Sequence, residues 1–328
     1  MTDFIHNMAM GSITHGENQI TSIDFHSNGN YLISTSKEGV LHLIDSLTGL
    51  EKKKIYTKTH GIGIAKYTHH EACVLLTSDK KSNDIRYLCM HDNKYLRFFK
   101  GHTEKVSSIS MSPISDLFLS ASNDKTVHLW SLESPSPIAK LQLPNDIQHP
   151  FVSYDSTGLV FGVMTKNTRS KEQSLKLFDS RNYDKGPFEE ISPPKEVISN
   201  NSNKYLSQRI LESTWTDFEF SPDGSKVLVN TNSDCFLIID GFNRLEDPII
   251  VPNRKNDSGL LLGACYSQLG SEIISGNEDS ELQIFDAATG NSLSTRPGHI
   301  TPVRAVKCNP KYEVFASGCL NTVLWLKN

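Results

Sequence analysis

The sequence has no long apolar run, no basic leader and no strong excess of charge. None of its apolar stretches approaches the roughly 18 residues that a membrane-spanning helix needs. Residues 1–16 lack the basic segment and apolar core of a signal peptide. A mean hydropathy of -0.35 and a formal charge of -4 give no drive toward nucleic acid or an anionic membrane. We therefore expect an intracellular protein without a membrane or direct nucleic-acid partner.

Paired cysteine motifs are also missing. The chain has 6 cysteines, and none belongs to a Cys-x-x-Cys pair, the spacing typical of structural zinc sites. Most lie in apolar, strand-like runs such as residues 71–76, which favours buried and reduced thiols. We expect neither a metal site nor a cofactor.

Common catalytic motifs are absent as well. The sequence contains no Gly-x-Ser-x-Gly elbow, no glycine-rich phosphate loop and no His-Glu-x-x-His. His69, His70 and Glu71 are adjacent rather than spaced along one helix face, so they do not predict a metal site.

The sequence does contain a repeated pattern of strands and turns. Each copy has an apolar strand, a turn with Gly or Pro, a second strand ending near Ser, and a third strand ending in an aromatic or apolar residue. The residues directly after these endings are Asp45, Cys89, Ser131, Asp179, Asp240, Asp286 and Leu326. Five of the six spacings lie between 40 and 48 residues, close to the length of a WD propeller blade. Seven copies predict one all-β domain over residues 1–328, a seven-bladed WD-repeat β-propeller.

The ends of the repeat predict how the ring closes. Only two residues follow Leu326, too few for an outer strand, so we expect residues 1–14 to pair with the last blade through Phe4–Ile13. Polar residues at 166–173 and 192–212 interrupt the repeat, and we expect two loop insertions there.

Two repeats contain residue types of a hydrolase triad. The third has His102, Ser120 and Asp124, and the last has His299 and Ser317. Since an enzyme rarely needs the same triad twice, we expect no catalytic residues. The sets resemble the hydrogen-bonded structural network of WD repeats, which would satisfy polar groups inside a blade. The predicted networks are His102, Ser120, Asp124 and Trp130 in one blade, and His299, Ser317 and Trp325 in the other.

Two sets of residues are candidates for binding partners. Basic residues interleaved with aromatic ones suggest a patch for an acidic or phosphorylated peptide, although a solvated strand face would have the same pattern. This candidate patch contains Arg86, Lys94, Arg97, Lys100 and Lys105. RNA binding by base stacking is the weaker alternative because the net charge is negative. The turns between second and third strands suggest a partner-binding face of mixed charge. Its candidate residues are Lys37, Asn123, Ser233, Glu278 and Leu320.

Several stretches resemble one WD-repeat family in particular. The fold itself does not require His91-Asp-Asn-Lys-Tyr95 or Asp184-Lys-Gly-Pro-Phe188, so these carry more weight than a generic repeat. They are similar to the WD-repeat subunit shared by the COMPASS histone H3 lysine-4 methyltransferase complex and the mRNA cleavage, polyadenylation and termination machinery. The chain departs from the family at Ser131, where Asp is expected after Trp130.

The resemblance implies a non-catalytic scaffold in the nucleus. Its partners would be a histone methyltransferase subunit, cleavage and polyadenylation subunits, a type-one phosphatase complex and the C-terminal domain of RNA polymerase II. A WD adaptor in another complex remains the alternative, for example a ubiquitin-ligase substrate receptor or a ribosome-assembly factor, because propellers host many functions.

Overall fold

The structure is a computed structural model that describes residues 8–14, 16, 18–193, 209–241 and 248–327. Residues 1–7 and most of the expected 192–212 insertion lie outside the described residues. Within them the chain forms 28 strands in seven antiparallel sheets of four, which confirms the predicted seven-bladed propeller. In the described part of the chain, helical segments are limited to short turns at 183–185 and 209–212. No helix among the described residues is long and apolar enough to cross a membrane.

The blades follow one another in chain order, each running from the central channel outward. Blade 1 comprises β2 (Ile20–Phe25), β3 (Tyr31–Ser36), β4 (Val40–Asp45) and β5 (Glu51–Tyr56). Blade 2 comprises β6 (Ala65–Tyr67), β7 (Cys73–Thr77), β8 (Ile85–Cys89) and β9 (Lys94–Phe99). Blade 3 comprises β10 (Val106–Met111), β11 (Leu117–Ser122), β12 (Thr126–Ser131) and β13 (Ala139–Gln142). Blade 4 comprises β14 (Ile147–Tyr154), β15 (Val160–Asn167), β16 (Gln173–Asp179) and β17 (Glu189–Ile191).

The remaining three blades complete the ring. Blade 5 comprises β18 (Trp215–Phe220), β19 (Lys226–Thr231), β20 (Phe236–Asp240) and β21 (Ile249–Val251). Blade 6 comprises β22 (Ala264–Tyr266), β23 (Glu272–Gly276), β24 (Glu281–Asp286) and β25 (Ser292–Pro297). Blade 7 comprises β26 (Ala305–Cys308), β27 (Val314–Gly318) and β28 (Thr322–Lys327), with β1 (Met8–Thr14) as its outer strand.

Burial along a strand depends on its place in the blade. The second strands β7 and β27 are buried at every position, because a neighbouring blade covers each of their faces. The outer strand β5 is mostly exposed and carries the polar run Glu51-Lys-Lys-Lys54. The apolar core therefore lies in the seams between blades: each apolar cluster among the described residues joins two neighbouring sheets.

The ring is closed by the N-terminal strand, as predicted. β1 pairs antiparallel with β28, from Met8 opposite Lys327 to Thr14 opposite Thr322, with a register shift between Met10 and Ser12. The residues expected to pair began at Phe4, and Phe4 to Asn7 lie outside the described residues.

The loop within residues 166–173 is shorter than expected. Lys166 still pairs with Gln173, so the hairpin of β15 and β16 extends into the segment. Only residues 168–172 form the turn. Polar composition did not reveal this extension, because an exposed hairpin end tolerates polar side chains on both strands.

Candidate functional site

The triad-like residues of blade 3 meet around one serine. The Ser120 Oγ accepts a hydrogen bond from Trp130 Nε1 at 2.8 Å and lies 2.7 Å from His102 Nε2. The His102 Nδ1 is 2.9 Å from Asp124 Oδ2. Ser120 is fully buried and its hydroxyl also accepts from the Trp130 indole, so a substrate does not reach it in this structure. This geometry favours a structural role.

The charge of Asp124 is stabilised inside this network. Burial opposes its ionisation, but hydrogen bonds from the Thr126 hydroxyl, the Thr103 amide and His102 hold the pKa of its carboxyl below the usual value. His102 stacks on His128 with ring centroids 4.1 Å apart. Burial lowers the pKa of both imidazoles, that of His128 to about 4. Blade 3 therefore holds two neutral histidines beside one carboxylate.

Blade 7 repeats the arrangement with one substitution. Ser317 Oγ accepts from Trp325 Nε1 and lies near His299 Nε2, both at 2.7 Å. The His299 Nδ1 faces the Cys319 sulfur at 3.1 Å, where blade 3 uses an aspartate. Burial opposes ionisation of this thiol, yet hydrogen bonds, first that of His299, lower the pKa of Cys319 to about 6. Sequence comparison of the repeats missed Cys319, because it aligns with Ser122 and not with Asp124.

Arg86 does not belong to a basic surface patch, and that prediction is wrong for this residue. Its side chain is fully buried, donates to the Tyr95 hydroxyl at 2.9 Å and to the Gly61 carbonyl, and lies 5.5 Å from the Tyr95 ring centre. It pairs with Leu76 across the sheet as His128 pairs with Ser120 in blade 3. Arg86 thus fills the space that the serine–histidine network occupies elsewhere.

The other four basic residues do not form one patch either. Lys94 begins β9 and Lys100 directly follows its last residue, so the two are about 20 Å apart at the usual rise per strand residue. Arg97 donates to the Leu132 carbonyl, and Lys105 is paired with Asp79. They were grouped as a candidate patch because they are close in the chain, and the fold separates them.

The five residues of the second candidate set do share one face. Each lies in a turn between the second and third strands of a blade, and the common strand order places all such turns at the same end of the ring. We call this the turn face; its residues are Lys37, Asn123, Ser233, Glu278 and Leu320.

Much of the polar character of the turn face is used internally. Of the five candidates only Lys37 is exposed. The Glu278 carboxylate accepts the amides of Asp257 and Ser258 at 3.1 and 2.9 Å, and these bonds lower its pKa. Neighbouring ion pairs also neutralise charge on this face; they are Lys105–Asp79, Arg169–Asp146 and Lys255–Asp279.

The other end of the ring, which we call the opposite face, carries the turns between first and second strands. A cavity of about 510 Å³ opens there into the central channel, rimmed by Pro113, Pro222 and Pro310. Ile114 is 65% exposed beside this rim, and its Cγ1 lies within 2.9 Å of where a Cβ on Gly158 would be. Gly158 therefore meets Ile114 across the seam between blades 3 and 4, and the next residue, Leu159, is also exposed. The sequence did not predict this face, because Ile114 lies in a turn between two strands and has no part in the apolar pattern of the repeat.

The adjacent histidines of blade 2 do not form a metal site with Glu71. The His69 ring bonds to the Ser115 carbonyl at 3.1 Å, and the His70 ring accepts the Ala72 amide at 3.1 Å. Among the described residues no group of three or more His, Cys, Asp or Glu side chains is placed to hold a metal ion.

Comparison with known proteins identifies the family. The family described as "WD domain, G-beta repeat" matches residues 10–45 and 93–131. WD repeat-containing protein 82 of Drosophila melanogaster is 36% identical over 311 residues, covering 94% of this chain and 90% of that protein. COMPASS component SWD2 of Saccharomyces cerevisiae is 30% identical over 314 residues, covering 91% and 88%. Set1 complex component swd2 of Schizosaccharomyces pombe is 30% identical over 258 residues, covering 76% and 66%. The chain therefore belongs to the family of WD-repeat propellers that includes WD repeat-containing protein 82 and the SWD2 proteins.

Proposed function

We propose that the protein is a non-catalytic scaffold subunit of a nuclear complex of the Set1/COMPASS type, where it supports methylation of histone H3 lysine 4. The observation that carries this proposal is its 30% identity to COMPASS component SWD2 over most of both chains. The fully buried Ser120 supports it too, since the triad-like set of blade 3 presents no reactive group to a substrate.

The proposal extends to mRNA 3′-end processing and transcription termination. Its support is the pair of family-like stretches, 91–95 and 184–188, which the fold does not require. Both lie largely exposed in turns between third and fourth strands, which are on the opposite face. Partners of this second role would be cleavage and polyadenylation subunits, a type-one phosphatase complex and the C-terminal domain of RNA polymerase II.

The opposite face is the docking surface that we propose for the methyltransferase partner. It combines those two exposed stretches with the apolar side chains of Ile114 and Leu159. Exposed apolar groups at the centre of an interface supply most of its binding energy, whereas charges already paired within one chain supply little. The turn face, with Lys37 and Glu278, is the second candidate.

The test is affinity purification of the tagged protein from nuclear extract, followed by mass spectrometry. The wild-type protein should retain methyltransferase subunits, and Ile114→Asp should lose them. Ile300→Asp is the matched control, because Ile300 is 67% exposed in a loop on the turn face. The turn face would be the docking surface if Ile114→Asp kept the methyltransferase subunits and either Ile300→Asp or charge reversal at Lys37 and Glu278 lost them.

Other outcomes would overturn the assignment itself. Cullin adaptors or ribosome-assembly factors in place of methyltransferase and polyadenylation subunits would support the alternative WD adaptor. Hydrolase activity of the pure protein that disappears in a folded His102→Ala variant would contradict the non-catalytic role.

A further inference from the structure

Two thiols face each other across the seam between blades 6 and 7. Cys265 is the middle residue of β22, and Cys308 ends β26 in the next blade. Their sulfur atoms are 3.8 Å apart, and neither is in a disulfide. A disulfide requires about 2.05 Å between sulfurs, so a modest rotation or shift of the side chains would bring them to bonding distance.

The two sulfurs differ in access. Cys265 is fully buried within the apolar cluster that joins blades 6 and 7. Cys308 is only half-buried and lines the channel cavity of about 510 Å³ on the opposite face. A small oxidant entering the channel therefore meets Cys308 first, with Cys265 behind it.

We propose that Cys265 and Cys308 form a reversible disulfide when the protein meets hydrogen peroxide. The Cys308 sulfur, after losing its proton, attacks one peroxide oxygen; an S–O bond forms, the O–O bond breaks, and hydroxide leaves as water with that proton. The Cys265 sulfur then attacks the Cys308 sulfur; the S–S bond forms, the S–O bond breaks, and the departing hydroxide takes the Cys265 proton. Two thiols are oxidised and one peroxide is reduced to two waters.

The bond would add a covalent link to a seam that is held by an apolar cluster and by a hydrogen bond from the Val303 amide to the Asn277 carbonyl. Blade 7 also contains β1, so the link would fasten the blade that closes the ring. A cross-link of this kind restricts the unfolded chain more than the folded one, and it therefore raises the temperature of unfolding. The inference does not depend on which complex the protein serves.

The remaining cysteines provide internal controls. Cys73 and Cys89 face each other on neighbouring strands of the same blade, and Cys73 is buried. Cys319 contacts His299 and Cys235 contacts Ser233, and both are buried. None of these four lines the described channel cavity.

The experiment is peptide mapping of the full-length protein after brief exposure to dilute hydrogen peroxide and alkylation of the remaining thiols. We expect one cross-linked peptide pair containing Cys265 and Cys308, alkylated thiols at the other four positions, and loss of the link on adding a dithiol. The oxidised protein should also unfold at a higher temperature than the reduced one. Cys308→Ser should abolish both effects, whereas the matched variant Cys89→Ser should keep both.

Several results would overturn the proposal. Alkylated Cys265 and Cys308 in protein oxidised elsewhere would show that the seam thiols do not react. Sulfinic acid at Cys308 without any cross-link would show that Cys265 does not reach it. A cross-link that survives in Cys308→Ser would assign the disulfide to another pair.

Discussion

At the residue scale, one hydroxyl organises the polar interior of blade 3. Ser120 receives the indole of Trp130 and pairs with His102, which in turn pairs with Asp124. Buried polar groups that are fully paired cost little, but removing one partner leaves a buried donor or acceptor unsatisfied. The network is therefore sensitive to single substitutions.

Replacing His102 with alanine tests that sensitivity. We expect the free energy of unfolding to fall by roughly 1–3 kcal/mol, since Ser120 and Asp124 each lose a buried partner. Urea unfolding followed by fluorescence measures the change. His91→Ala is the control, because His91 is exposed in a turn and its loss should change stability little. Equal losses in the two variants would contradict the structural role of His102.

The stacked histidines predict a dependence of stability on pH. His128 has a pKa of about 4 in the folded protein, below the 6.5 of an unperturbed histidine, because burial and the neighbouring His102 disfavour its charged form. The unfolded chain binds a proton at higher pH than the folded one, so stability falls as pH drops from about 6.5 through about 4. At about 1.4 kcal/mol per pKa unit, the loss from this residue is at most about 3.5 kcal/mol.

A non-titrating aromatic side chain isolates this effect. In His128→Phe the stacked ring is retained and the proton site is gone, so the slope of stability against pH between 6.5 and 4 should become shallower. Urea unfolding at several pH values measures the slope. An unchanged slope would assign the acid sensitivity to other groups.

How far the sequence could predict single residues depended on burial. The serine, histidine and tryptophan of two blades were found because their spacing repeats along the chain. The burial of Arg86 was not predicted. An arginine in a strand with aromatic neighbours fits an exposed blade face as well as the seam between two blades. The 3.8 Å approach of Cys265 and Cys308 depends on the stacking of two blades, which chain spacing does not specify.

At the element scale, the pairing of β1 with β28 decides whether blade 7 is complete. Without β1 that blade would have three strands, and β28 would expose an unpaired edge. The contact is close, because a Cβ on Gly11 would meet the side chain of Leu326. Met8 also contributes to the apolar cluster between blades 6 and 7.

Deleting residues 1–14 should therefore lower both the unfolding temperature and the cooperativity of unfolding. The deletion removes the hydrogen bonds of a whole strand and opens one edge of the ring. Calorimetry of both proteins makes the comparison, with Ile13→Thr as a control for loss of one exposed apolar side chain. An unchanged melting curve after the deletion would contradict a closing role for β1.

Strand positions were more predictable than loops. The residues expected directly after the repeat endings include Asp45, Asp179 and Asp286, and each is the last residue of a third strand in the structure. β28 ends one residue beyond the expected Leu326. Turn residues that break the repeat, such as Ile114, carry no periodic signal. Their placement on one face follows only from the assembled ring.

At the scale of the whole molecule, charges meet across the central channel. Lys307 of blade 7 pairs with Glu219 of blade 5 at 2.5 Å, so this ion pair joins two blades that are not neighbours in the ring. Lys66 pairs with Asp24 of the neighbouring blade at 3.0 Å. Asp217 lies near the first pair, and burial together with the charge of Glu219 raises its pKa to about 7.

Asp217 should therefore cost stability when it ionises. Its folded pKa lies above the usual aspartate value of 3.8, so the folded protein holds the proton more tightly, and stability falls as pH rises from there through about 7. Asp217→Asn should stabilise the protein more at pH 8 than at pH 5, measured by urea unfolding. Asp223→Asn should act in the opposite direction at pH 8, because hydrogen bonds from Ser221 and Ser225 lower the pKa of Asp223. A gain for Asp217→Asn that is the same at both pH values would contradict a shifted carboxyl.

The strand pair that closes the ring also sets when the protein can finish folding. β1 leaves the ribosome early, yet its partner β28 is made only after the other six blades. Through nearly all of synthesis, β1 must wait unpaired while blades 1 to 6 assemble beside it. Pairing between segments so far apart in the chain is slow, and an unpaired strand edge is prone to aggregate with other chains. Newly made protein therefore passes through an open-ring state in which β1 and the seam of blade 7 are the surfaces that a chaperone would need to shield.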